Sequence, residues 1–150
     1  MILLVAKSGS GKDYITKAFN LKMVVSNTTR PPREGEVDGV DKNFYNFNLV
    51  PDDIKIAKTY INGYDYWVTK RDLEGKDCFI VDMNGVICIK EIYHFLFYDK
   101  FQVIYLHCAW YKRLYRLIKR DGLVKAIKRF VHDIKAFEDI EKVKHVRINV

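Results

Sequence analysis

Cysteine is scarce in this 150-residue chain, and its three copies, Cys78, Cys88 and Cys108, share no C-x-x-C spacing. That excludes a disulfide framework and a cysteine-built zinc site. Each sits in an apolar run, so reduced, buried thiols are expected. Proline is equally scarce, with two of three copies side by side at Pro31 and Pro32. No apolar run approaches the roughly 20 residues of a membrane-spanning helix. The opening MILLVA is too short for a signal peptide and reads as a strand, so a cytoplasmic protein is expected. Internal repeats and low-complexity tracts are also missing.

What is present is a globular composition with an excess of positive charge. Apolar residues make up 49%, charged residues 30%, and the net charge is +7. The length suits a single domain with its own core. The charge suits an anionic partner, whether nucleotide, nucleic acid or acidic surface.

The most informative stretch is AKSGSGKDYI, Ala6 to Ile15. It follows the apolar run Ile2–Ala6 and leads into a helical pattern from about Gly11 to Phe19. This is the strand–loop–helix context of the phosphate-binding motif G-x-x-x-x-G-K-[ST]. Gly9 and Gly11 let backbone N–H groups, including those of Ser8 and Ser10, approach phosphate oxygens. The helix adds its positive end and Lys12 a mobile cation. Two positions depart from the motif: Ala6 replaces its first glycine and Asp13 its hydroxyl. Asp13 has two readings, a carboxylate ligand for Mg²⁺ or a helix N-terminal acid favoured by the dipole alone.

Apolar runs at 21–25, 78–81 and 102–108 read as further strands, and HVRIN near the end as another. Helices are expected at about 86–97, 110–120 and 123–137. The last carries Val124, Ile127, Phe130, Val131, Ile134 and Phe137 along one side. Alternating strands and helices predict an α/β fold with a mainly parallel, five-stranded sheet. The proline- and glycine-bearing segment SNTTRPPREGEVDGVDKNF reads as irregular. NFYNF and TYINGYDYWVT follow it as short antiparallel strands, with a hairpin signal at Asn62-Gly63. Ligands of such sheets bind beyond the carboxyl ends of the strands. The glycine loop, Ser26, Asp82 and Trp110 should gather there.

In the irregular segment, Arg30 and Arg33 flank the two prolines, which stiffen the chain between two guanidinium forks suited to phosphate oxygens. Pairing with Glu34 or Glu36 on a solvated loop is the alternative. The segment resembles the guanylate kinase pattern S-x-x-T-T-R-x-P-R-x-G-E-x-x-G-x-D-Y-x-F. Ser26, Thr28, Thr29, Arg30, Pro32, Arg33, Gly35, Glu36, Gly39, Asp41 and Phe44 match it. NGYDYWVT, with Gly63 and Tyr66, is similar to the family hairpin G-x-Y-Y-G-[ST]. VDMNGV, with Asp82 and Gly85, is similar to I-D-x-x-G-V. Arg120 and Arg129 match the lid, and Asn149 the asparagine that meets adenine. The resemblance therefore covers almost the whole chain.

It implies a P-loop nucleotide kinase fold in one domain. The core would take about 1–25 and 78–150, an antiparallel NMP-binding insertion about 26–72, and a helical lid about 112–130. It implies transfer of the γ-phosphoryl of MgATP to GMP or dGMP. Lys12 and the loop from Ser8 to Asp13, with Asn149, would hold ATP. Ser26, Arg30, Arg33, Lys42 and Tyr66 would hold the acceptor, and Asp82 would lie between acceptor and metal. Lys12, Arg30, Asp82, Arg120 and Arg129 would form the catalytic set, with Mg²⁺ as cofactor. This agrees with the physics of phosphoryl transfer, where positioning and charge stabilisation dominate.

Three positions depart from the family. Lys42 stands for a tyrosine, Ala57 for the guanine-reading glutamate, and Val68 for the hairpin hydroxyl. Another or broader base choice is one alternative to GMP. A non-catalytic phosphopeptide-binding module on the same frame is another. Basic residues crowd the span from Lys112 to Arg129, which reads as lid plus solvated face. No aromatic platform is interleaved with them, which argues against nucleic acid.

Overall fold

The computed structural model describes residues 1–46, 55–61, 63–93 and 101–150. Among these, four strands form a parallel sheet in the order β6-β1-β7-β8. They are β1 (Ile2–Ala6), β6 (Cys78–Val81), β7 (Gln102–His107) and β8 (Val146–Asn149). The first strand of the chain is thus internal, with Leu3 beside Phe79 on one flank and Val103 on the other. Strands buried on both faces should read as unbroken apolar runs, and ILLVA, CFIV and VIYL do.

The five-strand expectation is corrected here. Residues 21–25 run beside β6 but form only an isolated bridge, Met23 to Cys78, among the described residues. Polar competition explains the shortfall: the Lys22 N–H donates to the Asp77 carboxylate (2.9 Å) rather than to a backbone carbonyl. Beyond Val24, which still donates to the Cys78 carbonyl, the chain leaves to join a second sheet.

That second sheet has the order β3-β2-β5-β4. Its strands are β2 (Asn27–Thr28), β3 (Asn43–Phe44), β4 (Ile56–Ile61) and β5 (Tyr64–Val68). The expected antiparallel hairpin is there as β4 and β5, although Asn62 of its turn lies outside the described residues. The segment read as irregular contributes a minimal strand, β2, which pairs with β3 at the start of the strand expected at NFYNF; that pairing is parallel rather than the expected antiparallel. A short helix, α2 (Lys70–Leu73), follows β5, closed by a capping box between Thr69 and Asp72.

The remaining helices are α1 (Lys12–Ala18), α3 (Met83–Tyr93), α4 (Trp110–Asp121) and α5 (Leu123–Ala136). The helix expected to reach Phe97 is described only to Tyr93. The main core joins one sheet face, with Leu3, Val5, Phe79, Val81, Val103 and Tyr105, to Val86 and Ile89 of α3. Ile56, Ala57 and Val68 of the second sheet enter the same core, so the two sheets share it. At ~25 cal/mol per Å² of apolar surface, each fully buried Leu, Ile or Val stabilises by about 1.5–3 kcal/mol. Cys78 and Cys108 are buried and unpaired, and burial pushes the Cys78 thiol up to about 11.

On α5 the apolar side is not the buried one. Val124, Ile127, Val131 and Ile134 are exposed, whereas Ala126 and Asp133 are buried. A buried ion pair sets this rotation: Asp133 meets Arg113 of α4 at 2.6 Å.

Candidate phosphate-transfer site

The carboxyl end of β1 opens into the glycine loop. Ala6 ends the strand beside Leu106 and keeps a negative φ. The missing first glycine therefore costs nothing. Gly9 and Gly11 both lie in the left-handed region, at φ +77° and +92°. Gly11 is the N-cap of α1, and its carbonyl is the first helical acceptor, taken by Tyr14 and Ile15. The N–H groups of Lys12 and Asp13 lie between that acceptor and its donors, where a helix start offers N–H groups suited to an anion.

Ser8 differs from the expected phosphate donor. Its N–H donates to Asp133 Oδ2 at 2.7 Å, and its Oγ to Asp133 Oδ1 at 3.2 Å. Ser10 is buried, and its Oγ has no partner among the described residues. Asp13 lies in the first turn of α1 with its side chain 70% exposed, 3.4 Å from the Lys12 ammonium. A single exposed carboxylate beside a phosphate loop fits Mg²⁺, which is bound by one or two carboxylates plus substrate phosphates. No cluster of three or more His, Cys, Asp or Glu residues exists among the described residues.

The second sheet brings a group of cations to this loop. Ser26 is buried, and its Oγ accepts a very short bond from the Lys42 ammonium. Burial first, then the charges of Lys12 and Arg30, push Lys42 below its ordinary pKa, with Glu36 and Asp13 opposing. Two further cations, Lys12 and Arg30, and two carboxylates, Glu36 and Asp13, therefore lie within electrostatic reach of Lys42. Arg30 is itself buried. Its Nη2 donates to both Glu36 oxygens at 3.0 and 2.9 Å, its Nη1 donates to the Pro31 carbonyl, and its Nε has no partner among the described residues. Burial alone would raise the Glu36 carboxyl. Bonds from the Arg33 N–H and from Arg30, with both their charges, outweigh it and hold Glu36 below its usual value. The Arg–Glu pairing read as an alternative thus occurs for Arg30, while the Arg33 side chain stays exposed. Tyr66 lies in β5 opposite Thr28 of β2.

The α4–α5 hairpin supplies the last charges. Arg120 Nε and Nη2 donate to the two oxygens of Asp121 at 3.0 and 2.9 Å, and Arg129 Nε lies 3.6 Å from the same carboxylate. Hydrogen bonding from Arg120, then the charges of Arg120, Arg129 and Arg33, hold the Asp121 carboxyl below its ordinary range against its burial. Arg120 is raised, chiefly by Asp121, with a contribution from Asp13. Arg120, Arg129 and Arg33 are therefore within electrostatic reach of Asp121, and Asp13 within reach of Arg120.

Asp82 directly follows β6, just past the Val5–Val81 pair and so at the loop's end of the sheet, and its Oδ1 accepts the Gly85 N–H at 2.8 Å, which caps α3. Asn149 is exposed at the end of edge strand β8, opposite His107. Ala57 and Val68, which replace the base-reading acid and hydroxyl, are buried in the core.

Sequence reasoning missed Arg113, Arg116, Asp121 and Asp133. Arg116 Nη1 donates to the Gly9 carbonyl at 3.1 Å, and Arg113 Nε to the Ser8 carbonyl at 3.0 Å. An acid among the basic residues of α5 was the available signal for Asp133. Nothing local named its partners, since Ser8 lies 125 positions away.

No protein-family profile matches the chain. A guanylate kinase of Caldanaerobacter subterraneus subsp. tengcongensis is 30% identical to it over 169 positions, spanning 99% of the chain and 79% of that relative. A guanylate kinase of Bacillus cereus is 34% identical over 110 positions. There the match covers 62% of the chain, which spans about half (53%) of the relative. The crystal structure of guanylate kinase from Anaplasma phagocytophilum superposes with a TM-score of 0.62 at 21% identity, covering 99% of this chain and 75% of that one. At that identity the likeness concerns the fold: an α/β arrangement around a parallel sheet.

Proposed function

The chain belongs to the guanylate kinase family, and on that premise we propose that it transfers the γ-phosphoryl group of ATP to GMP or dGMP. The acceptor phosphate oxygen attacks the γ-phosphorus, the bond to the β–γ bridging oxygen breaks, and ADP leaves with that oxygen. One observation carries the reading: the loop with Gly9 and Gly11 in the left-handed region leads from β1 into α1 at Lys12, and Lys42 of the second sheet lies within electrostatic reach of Lys12 and Arg30. Cations gathered beside a phosphate loop favour an anionic acceptor. The buried Arg30 Nε, without a partner among the described residues, supports the same site.

On this reading residues about 1–25 and 78–150 form the core, about 26–72 the acceptor-binding insertion, and about 112–130 the lid. Gly9, Ser10, Gly11 and Lys12 hold the donor phosphates. Ser8 holds the loop, and Asn149 lies toward adenine. Ser26, Arg30, Arg33, Lys42 and Tyr66 hold the acceptor phosphate. Asp13 carries Mg²⁺, which screens phosphate charge when bound. Arg120 and Arg129 leave Asp121 for the transferring group, and Asp82 orients the acceptor through its other oxygen.

A broader base choice is the second reading. Guanine presents N–H donors that a carboxylate would accept, yet Ala57 and Val68 are apolar and buried. ADP release, coupled to a reporter and measured with MgATP across all ribo- and deoxy-monophosphates, tests both. Turnover of GMP and dGMP alone supports the first reading, and comparable turnover of several bases the second. Full turnover by Lys12→Ala would exclude both.

A further inference from the structure

Three bonds make a closed circuit around one residue of the phosphate loop, Ser8. The Ser8 N–H donates to Asp133, Asp133 accepts from Arg113 at 2.6 Å, and Arg113 Nε donates to the Ser8 carbonyl at 3.0 Å. The Ser8 hydroxyl adds a second bond to Asp133. The ion pair is shielded from water, with side chains only 6% and 7% exposed. Charge-assisted bonds of this length in such surroundings are strong and directional.

The consequence follows from peptide planarity. The Ser8 carbonyl and the Gly9 N–H belong to one trans peptide plane and point in opposite directions. With the carbonyl held toward Arg113, the Gly9 N–H is turned away from α4. Arg116 holds the next carbonyl, that of Gly9. We propose that Arg113 and Asp133 are positioning residues of the transfer reaction, which aim the Gly9 N–H at the donor phosphates by fixing the Ser8 peptide. They also make the loop and the bases of α4 and α5 one rigid unit. Neither residue touches substrate.

This role rests on the phosphotransfer reading, and its test separates the two. Replacing a buried ion pair by apolar residues of similar size is often neutral or stabilising. The double variant Arg113→Met/Asp133→Leu therefore removes the aiming bonds while the fold survives. MgATP affinity by calorimetry, KM for each substrate, kcat and Tm are measured for the wild type, this variant, Asp133→Asn and Arg113→Lys. The expected result is MgATP binding weakened about tenfold or more and kcat lowered, because a loop donor aimed at developing charge is lost. KM for the monophosphate stays within about twofold, and Tm within the range of a neutral core exchange. Arg113→Lys keeps the charge but not the fork, and falls between wild type and the double variant.

A folded double variant with wild-type MgATP affinity and kcat overturns the proposal. So does an equal loss for both substrates, or failure of every variant to fold, which assigns the pair to stability alone. A wild type that binds MgATP but phosphorylates no monophosphate counts against the phosphotransfer reading instead.

Discussion

Gly9→Ala and Gly75→Ala form a matched pair of perturbations whose difference is set by one contact. Both glycines have left-handed backbones, φ +77° and +67°. Each alanine pays about 1–2 kcal/mol for that conformation. Around Gly75 a new Cβ meets nothing within 4 Å, whereas at Gly9 it would lie 2.9 Å from the Arg113 carbonyl oxygen and 3.3 Å from Leu117 Cγ. The first of these is backbone in a packed helix and cannot swing aside. Overpacking of this kind costs typically about 1–3 kcal/mol. For a domain of this size, 1 kcal/mol moves Tm by about 2–4 °C. Gly75→Ala should therefore melt about 2–8 °C below wild type, and Gly9→Ala about 2–12 °C lower again. The alternative relief is a loop pushed off α4, which breaks the bond from Arg116 to the Gly9 carbonyl. Thermal unfolding followed by circular dichroism, alongside MgATP titration, reads both routes. Coincident melting of the two variants, with equal MgATP affinity, would show that the loop does not lie against α4 and would refute the reasoning.

Asp121→Asn should cost less than about 1 kcal/mol of stability, because its partner Arg120 is half exposed and such pairs are worth about 0.2–1 kcal/mol. It should raise kcat/KM by at most about fivefold, since the two arginines no longer compete for an internal carboxylate. A tenfold loss would show that Asp121 assists the reaction. The stabilisation it gives is present above the carboxyl's unfolded pKa and lost as pH falls through the depressed folded value, so it disappears in acid below about 3.8. For Lys42 the sign reverses: a depressed ammonium destabilises the free protein below its folded pKa and ceases to do so as pH rises toward 10.5. An acceptor phosphate beside it restores the proton. GMP binding at alkaline pH should take up protons, measured by calorimetry in two buffers of different ionisation enthalpy, and Lys42→Met should abolish the uptake. Asp13→Ala should raise the Mg²⁺ concentration needed for half-maximal rate several-fold, whereas Asp13→Ser should keep or raise activity. Wild-type behaviour of Asp13→Ala at low Mg²⁺ reduces Asp13 to a helix-end residue.

The sequence was readable where chemistry depends on neighbours along the chain. The glycines and Lys12 carry the loop within a few positions, and the spacing of Arg30, Arg33 and Glu36 carries the second cation group. The capping box of α2 is equally local, as T-K-R-D at 69–72. What escaped depends on distant partners. The buried side of α5 is set by Arg113 on another helix, which outweighs the periodicity of Val124, Ile127, Val131 and Ile134. The strand expected at 21–25 dwindles because one carboxylate, Asp77, takes a ladder donor. Burial of Ala57 and Val68 was equally invisible, since apolar residues on a short strand read alike whether they face a ligand or the core.

The internal place of β1 also has a consequence in time. The strand and its loop are made well before their partners, Cys78–Val81, Gln102–Leu106 and finally Asp133. At ~5–20 residues per second, a ribosome needs on the order of ten seconds to travel from Ser8 to Asp133. Until Cys78–Val81 and Gln102–Leu106 are made, ILLVA lacks its sheet neighbours, an apolar strand open to wrong pairing. Sheets built from such distant contacts form slowly. The nucleotide loop is thus synthesised well before Arg113 and Asp133, the residues that hold its shape.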